Sequence, residues 1–259
     1  MQNRIDKAFN DKKERLLNVY FTAGYPELED TMRIAQDLEA SGADILEIGL
    51  PFSDPVADGP TIQESGTRAL ENGMTLEKLF GQLADLREKV SIPVLMMGYI
   101  NPVVQYGIER FCEKCQEVGV DGLILPDLPM YEYEEMYQAV FEKHGIYNVF
   151  LITPQTSEER IRKIDQLSNG FIYMVAASSI TGAKSDISEE QVKYFNRINA
   201  MGLKNRRMIG FGISNYETFD KACGFADGAI VGSAFIKQLS QDASEEGIRS
   251  FVQSIKQPS

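Results

Sequence analysis

Two carboxylates in different settings mark residues 43–63 as a candidate site. Glu47 lies in the middle of the apolar run 45–50, whereas Asp58 follows in a segment interrupted by prolines and ended by an Asp-Gly-Pro turn. Successive side chains of a strand point to opposite faces, so one face of the run is apolar and the other carries the acid. A buried acid on a strand and a wetter acid on the next loop are what divided acid and base roles require. A satisfied internal salt bridge would also account for Glu47, because an unpaired buried carboxylate is costly.

The elements that must position these acids alternate regularly between strand and helix along the chain. Such alternation implies a parallel sheet, and eight units in about 250 residues favour a closed barrel over an open doubly wound sheet. No G-x-G-x-x-G motif follows the first strand, which weakens the open-sheet alternative. We expect an α/β protein, a single eight-stranded parallel βα (TIM) barrel domain over residues 1–259 with an extra N-terminal helix. The predicted strands are 16–22, 45–50, 93–99, 120–125, 147–152, 171–175, 207–212 and 226–231, and the predicted helices are 1–11, 28–41, 61–71, 76–89, 102–118, 131–143, 157–168, 188–200, 215–223 and a tail from 233.

Glycine-containing loops follow the seventh and eighth predicted strands, where barrels of this kind commonly bind phosphate. They contain Gly212 and the pair Gly232 and Ser233. Glycine lets backbone N–H groups approach an anion, and a helix that opens at Ser233 would offer unpaired N–H groups and the positive end of its dipole. Two such loops at the expected strands favour a phosphate site, although tight turns alone would also use glycine.

The loop after the sixth predicted strand, 176–185, is long, small and polar, as is typical of a lid. Within it, Gly182 would add a backbone contact to phosphate. Thr181 would hydrogen-bond a carboxylate on the neighbouring loop. This loop is therefore expected to close over a bound ligand.

The composition excludes several classes of protein. Apolar residues make up 43% of the 259 residues, which suffices for a large core, and the net charge of −12 opposes non-specific binding to nucleic acid. The sequence contains no apolar stretch of membrane-spanning length, and residues 1–9 lack the apolar block of a signal peptide. We expect a cytoplasmic protein that contacts neither nucleic acid nor membrane.

The residue types that are scarce narrow the chemistry further. His144 is the only histidine and follows a predicted helix on the far side of the barrel, which argues against most metal-dependent sugar-phosphate epimerases, histidine-based isomerases and Ser-His-Asp or Cys-His catalysis. Cys112 and Cys115 form an isolated C-x-x-C on a helical pattern, which favours packed thiols over zinc. No lysine lies within a strand, where desolvation would favour a Schiff base. What remains is carboxylate chemistry on a phosphorylated substrate, without metal or cofactor.

The stretch L-E-I-G-L-P-F-S-D-P-V-A-D-G-P-T-I-Q at 46–63 closely resembles the signature of the tryptophan synthase alpha subunit family. The similarity continues in F-T-A-G-Y-P (21–26), M-G-Y-I-N-P (97–102), V-D-G (120–122), P-D-L-P (126–129), T-G (181–182) and G-F-G-I (210–213). This resemblance implies retro-aldol cleavage of indole-3-glycerol phosphate into indole and D-glyceraldehyde 3-phosphate. It also implies an alpha2beta2 assembly with a beta subunit that holds pyridoxal phosphate.

The resemblance also implies the roles of single residues. Glu47 would be the general acid/base, and Asp58 would stabilise the positive charge that develops on the indole ring. Tyr173 would brace Glu47. The implied substrate-binding residues are Tyr20, where the family often has Phe, Met97, Tyr99, Tyr173, Thr181 and Phe211, and the implied phosphate-binding residues are Gly182, Gly212, Gly232 and Ser233.

Two other functions stay open at this point. A barrel that has lost turnover could still bind and activate a partner, although the presence of both Glu47 and Asp58 speaks against this. A metal-free prenyltransferase or isomerase barrel would have similar phosphate loops. Such a barrel would not need Glu47 next to the P-F-S-D-P segment at 51–55.

Overall fold

A computed structural model describes residues 3–176, 188–210 and 212–258. Its strands are β1 Leu16–Thr22, β2 Ile45–Gly49, β3 Val94–Met97, β4 Gly122–Ile124, β5 Tyr147–Val149, β6 Leu151–Ile152, β7 Phe171–Val175, β8 Arg206–Gly210 and β9 Gly228–Val231. Its helices are α1 Arg4–Lys12, α2 Asp30–Ser41, α3 Pro60–Glu71, α4 Leu76–Gln82, α5 Leu86–Lys89, α6 Ile100–Tyr106, α7 Ile108–Val118, α8 Met130–Glu132, α9 Gln138–Lys143, α10 Glu158–Leu167, α11 Glu189–Ala200, α12 Tyr216–Cys223, α13 Ser233–Gln241 and α14 Glu245–Lys256, with a π-helical turn at Tyr133–Tyr137.

The strands form one parallel sheet in the order β5-β4-β3-β2-β1-β9-β8-β7-β6. The two edge strands are consecutive in the chain and are separated only by Phe150. The carbonyl oxygen of Phe150 accepts a hydrogen bond from the Tyr173 amide at 3.0 Å, which continues the sheet around the gap. The nine segments therefore correspond to the eight predicted strands, with the fifth interrupted once, and the barrel prediction is confirmed.

The inside of the barrel is apolar at the amino-terminal ends of its strands. Alternation along parallel strands points every second side chain inward. Helix α1 closes this end, because Ile5 and Phe9 join the interior cluster and the Phe9 ring lies 6.0 Å from that of Phe171. The strand residues of the cluster are Leu16, Ile45, Leu95, Ile124, Val149, Phe171, Met208 and Ile230. This end of the interior is filled, which leaves the carboxyl ends of the strands for a ligand.

Several helices are shorter than the sequence predicts. The predicted helix 76–89 is divided into α4 and α5, and the predicted helix 102–118 is divided into α6 and α7 at Gly107, whose φ of 95° a right-handed helix cannot contain. The tail from Ser233 is likewise divided into α13 and α14. Strand β3 ends at Met97, so Tyr99 is the N-cap of α6 and not part of a strand. In the described part of the chain, every helix is too short or too polar to cross a membrane.

Candidate active site

Glu47 lies on the inward face of β2 and is fully buried. Ile45, two residues earlier on the same face of β2, belongs to the apolar layer of the interior. Glu47 is therefore the next inward-facing residue after that layer. Burial raises the pKa of Glu47 to about 8, and a hydrogen bond from the Asn18 amide opposes this rise. The group can therefore be protonated or ionised close to neutral pH, which proton transfer in both directions requires.

Asp58 lies on the loop between β2 and α3 and is half-buried. The Tyr99 hydroxyl donates a hydrogen bond to Oδ2 of Asp58 at 2.9 Å and accepts one from the Ala57 amide at 2.8 Å. Burial raises the pKa of Asp58, and the bond from Tyr99 opposes this rise. The aromatic ring of Phe52 packs 5.3 Å from that of Tyr99. The start of α6 thus holds the loop that carries the second carboxylate.

Two tyrosines project into the barrel at the level of the carboxylates, and glycines on neighbouring strands leave room for them. A Cβ atom at Gly49 would lie 2.1 Å from Oη of Tyr20, and one at Gly210 would lie 2.3 Å from Oη of Tyr173. Real Cβ atoms essentially never lie within 3.0 Å of a non-bonded heavy atom. Glycine is therefore required at both positions if the rings are to occupy the interior.

The same two tyrosines lie near enough to both carboxylates to feel their charge. The negative charges of Glu47 and Asp58 both act on the phenols of Tyr20 and Tyr173, whose pKa values are raised mainly by burial and further by these charges. The Tyr20 hydroxyl, which a phenylalanine at this position would lack, lies 3.4 Å from the Thr22 hydroxyl. It therefore has a polar neighbour within the protein. The two phenols stay neutral beside the acids.

Glycines at the ends of β8 and β9 leave backbone groups accessible at the rim. Gly212 is exposed with a φ of 81°, and apart from its chain neighbours no heavy atom of the described residues lies within 4 Å of a Cβ built on it. Gly232 is the N-cap of α13, and a Cβ there would lie 3.7 Å from the Tyr20 ring. Ser233 is the exposed first residue of that helix, where the N–H groups have no partner within the helix. This part of the rim is suited to an anionic group next to Tyr20.

A family model described as tryptophan synthase alpha chain matches residues 7–257. The chain belongs to the tryptophan synthase alpha chain family. The tryptophan synthase alpha chain of Flavobacterium psychrophilum is 60% identical over 240 residues, which are 93% of this chain and 94% of that protein. The tryptophan synthase alpha chain of Flavobacterium johnsoniae is 58% identical over 254 residues, which are 98% of this chain and 100% of that protein.

Solved structures of the same family agree with the fold. The crystal structure of the tryptophan synthase alpha chain from Legionella pneumophila matches with a TM-score of 0.88 and 34% identity, covering 99% of this chain and 97% of that one. A structure of Mycobacterium tuberculosis tryptophan synthase matches with a TM-score of 0.89 and 28% identity, covering 99% and 98%.

Membership of the tryptophan synthase alpha chain family establishes the role of the chain. It is a lyase of tryptophan biosynthesis that catalyses the alpha reaction, the cleavage of indole-3-glycerol phosphate into indole and D-glyceraldehyde 3-phosphate. The family also implies a beta-subunit partner. This membership excludes the alternative functions of a prenyltransferase or an isomerase.

The positions predicted for this alpha chain fall into two groups. Thr181, Gly182 and Phe211 lie outside the described residues, as does most of the predicted lid loop. The others surround the carboxyl end of the barrel, and their roles stay predictions. They are Glu47, Asp58, Tyr20, Met97, Tyr99, Tyr173, Gly212, Gly232 and Ser233.

Sequence reasoning missed one residue of the site and the contacts of another. Among the described residues, the hydrogen-bond partner of Glu47 is Asn18 and not Tyr173. Asn18 could have been found as the one amide in an otherwise apolar strand, two residues before Tyr20 and on the same face. The resemblance places Tyr99 in the indole pocket, but the hydrogen bond of Tyr99 to Asp58 depends on how the loop folds back and has no local sequence signal.

The histidine and the C-x-x-C pair lie away from this rim. His144 follows α9, and its ring nitrogens lie 2.7 Å from Oε1 of Gln116 and 3.3 Å from a carboxylate oxygen of Glu109, on α7. Cys112 and Cys115 are buried free thiols on α7, and burial raises the pKa of both. The expectation of packed thiols is in line with these positions.

Proposed function

We propose that Glu47 is the general acid/base of the alpha reaction. Cleavage of the bond between indole C3 and the side chain requires that C3 first gain a proton and that the adjacent hydroxyl lose one. One group can do both, since the proton given to C3 is recovered from the hydroxyl and the two products contain all the atoms of the substrate. The observation that carries this proposal is the full burial of Glu47 with a pKa raised to about 8.

Asp58 is the proposed electrostatic partner of this proton transfer. Protonation of C3 places positive charge on the indole nitrogen, and an ionised carboxylate that accepts the N–H hydrogen bond stabilises it. Asp58 and Glu47 act on the same two tyrosines, which supports their place around one substrate. Bond breaking then returns the electron pair to the aromatic ring and leaves indole.

The substrate is proposed to lie between the tyrosines and the glycine-rich rim. Tyr20, Met97, Tyr99 and Tyr173 would enclose the indole together with Phe211. Backbone N–H groups would hold the phosphate. These N–H groups would come from Gly182, Gly212, Gly232 and Ser233. Thr181, in the lid loop, would hydrogen-bond a carboxylate on the neighbouring loop. The short distance between Gly232 and the Tyr20 ring supports this order, because it places the anion site beside the aromatic pocket.

The proposal also covers the assembly, the cofactor use and the cellular location of the chain. We propose an alpha2beta2 assembly in which the beta subunit contains pyridoxal phosphate and this chain uses no cofactor or metal of its own. The chain would act in the cytoplasm as a single domain over residues 1–259. Pairing of β1 with β9, near the two ends of the chain, supports one domain.

The experiment is indole release from indole-3-glycerol phosphate by the purified chain, with and without a beta subunit. E47Q should abolish turnover and retain the fold by circular dichroism, because glutamine cannot exchange a proton. D58N should lower kcat more than it raises KM. D54N, which changes an exposed carboxylate of the same loop, is the matched control for the isolated chain. Substantial turnover by E47Q would refute the role of Glu47, and an effect of D58N on KM alone would refute that of Asp58.

A further inference from the structure

Asn18 lies inside the barrel, directly beneath the proposed acid/base. In the register of β1 and β2, Asn18 is opposite Ile45, and Tyr20 is opposite Glu47. Asn18 therefore lies level with Ile45 of the apolar layer and one inward-facing position below the level of Glu47. It is fully buried, and an amide in such a place costs free energy unless it is hydrogen-bonded.

Each of the two side chains has one paired and one unpaired polar atom. Nδ2 of Asn18 donates a hydrogen bond to Oε1 of Glu47. Oδ1 of Asn18 and Oε2 of Glu47 are buried and have no hydrogen-bond partner among the described residues. The carboxyl group is therefore held at one oxygen and left free at the other.

We propose that Asn18 is a positioning residue that fixes Oε1 of Glu47 and leaves Oε2 as the oxygen that exchanges the proton with the substrate. The inference rests on the proposed role of Glu47 as acid/base. It assigns the two oxygens different tasks and adds a residue to the site.

A neutral amide is suited to this position. A lysine or arginine would stabilise the ionised carboxylate and lower its pKa, so that it would no longer hold a proton near neutral pH. An alkyl side chain would leave both oxygens unpaired and the carboxyl group free to rotate. The described titratable groups on which the charge of Glu47 acts are Tyr20 on β1 and Tyr173 on β7, and burial keeps both phenols neutral. Asn18 is thus the group that sets the orientation of the acid.

The test compares N18L with N148L in the isolated chain. Asn148 is also a buried asparagine on a barrel strand, β5, and among the described residues it has no hydrogen bond to Glu47, so N148L controls for the loss of a buried amide. For N18L we expect kcat to fall by about tenfold to a hundredfold with KM within about twofold, because a misplaced proton donor slows the chemical step and not binding. The limb of the pH profile that reports Glu47 should move to higher pH, because the bond that opposes its raised pKa is lost. N148L should leave the pH profile unchanged.

A direct titration supplies a second readout. Carbon-13 labelling of the glutamate carboxyl groups, with E47Q to assign the signal, should show Glu47 titrating at higher pH in N18L. If N18L does not fold, N18T keeps a hydroxyl donor on a strand-compatible side chain and should show a smaller shift in the same direction. An unchanged kcat and titration, or a loss of activity matched by N148L without a pH shift, would overturn the inference.

The outcomes separate this inference from the proposed function. If E47Q remains active, the role of Glu47 fails, and the role of Asn18 fails with it. If E47Q is inactive and N18L behaves as the unmodified chain does, only the inference on Asn18 is wrong.

Discussion

The hydroxyl of Tyr99 donates a hydrogen bond to Oδ2 of Asp58 at 2.9 Å, across 41 positions of sequence. Tyr99 is 4% exposed and precedes α6, whereas Asp58 is on the loop after β2. The loop after β2 is thereby attached to the rim at a second point. The bond also favours the ionised form of Asp58, since it opposes the effect of burial on the pKa.

Replacing Tyr99 by phenylalanine should therefore impair Asp58 without removing the packed ring. We expect Y99F to lower kcat about tenfold, which corresponds to roughly 1.4 kcal/mol of transition-state stabilisation. The pKa of Asp58 should rise further, so activity should be lost at a higher pH as the solution is made acidic. Steady-state indole release across pH measures both effects.

Y106F is the control for the loss of a phenol hydroxyl. The Tyr106 hydroxyl lies on α6 and donates to Glu77 at 2.9 Å, on the exposed surface. Y106F should retain the kcat and pH profile of the unmodified chain. Equal effects of the two variants would contradict a specific role of the bond between Tyr99 and Asp58.

The raised pKa of Glu47 predicts how stability changes with pH. The group has a pKa near 4.5 when unfolded and about 8 when folded, so the folded state binds its proton more tightly. Its contribution to stability is complete below pH 4.5 and is lost as pH rises to about 8. The free energy of unfolding of E47Q, relative to the unmodified chain, should therefore increase over this window by at most about 1.4 kcal/mol per pH unit.

Urea unfolding of both proteins at a series of pH values measures this difference. E64Q, at an exposed position on α3, should not reproduce the pH-dependent gain. A difference between E47Q and the unmodified chain that does not vary with pH would mean that Glu47 is ionised as easily when folded as when unfolded.

An added negative charge at the rim should weaken phosphate binding selectively. Gly232 is the N-cap of α13, and a side chain there meets only ordinary contacts. Because aspartate is well tolerated at helix N-caps, G232D should change the melting temperature little. Its charge should raise KM for indole-3-glycerol phosphate about tenfold or more, by repulsion of the phosphate.

S244D is the control that tests whether the rise in KM depends on the position of the new aspartate or on any aspartate at a helix N-cap. Ser244 is the N-cap of α14, where its side chain accepts a hydrogen bond from the Gly247 amide at 3.1 Å. S244D should leave KM unchanged. Inhibition by inorganic phosphate should weaken only in G232D, and an unaltered inhibition constant there would argue against phosphate at this helix.

The fold was predictable because its pattern is local. The spacing of apolar residues predicts the alternation of strand and helix. The period of two along one strand places Glu47 on a face opposite to its apolar neighbours. The breaks within helices were not predicted. The division of the predicted helix 102–118 at Gly107 shows why, because a helical pattern on both sides conceals a single residue with positive φ.

The sequence by itself determined the barrel, the family and the two carboxylates, since each depends on periodicity or on a continuous motif. Only the tertiary structure decided which residues hydrogen-bond to the two carboxylates and shift their pKa values. The bond from Asn18 to Glu47 joins residues 29 positions apart and exists because β1 pairs with β2 in one register. The bond from Tyr99 to Asp58 requires the second loop to fold over the end of β3. Such contacts depend on three-dimensional packing, in which residues far apart in the chain become adjacent, and no local pattern encodes them.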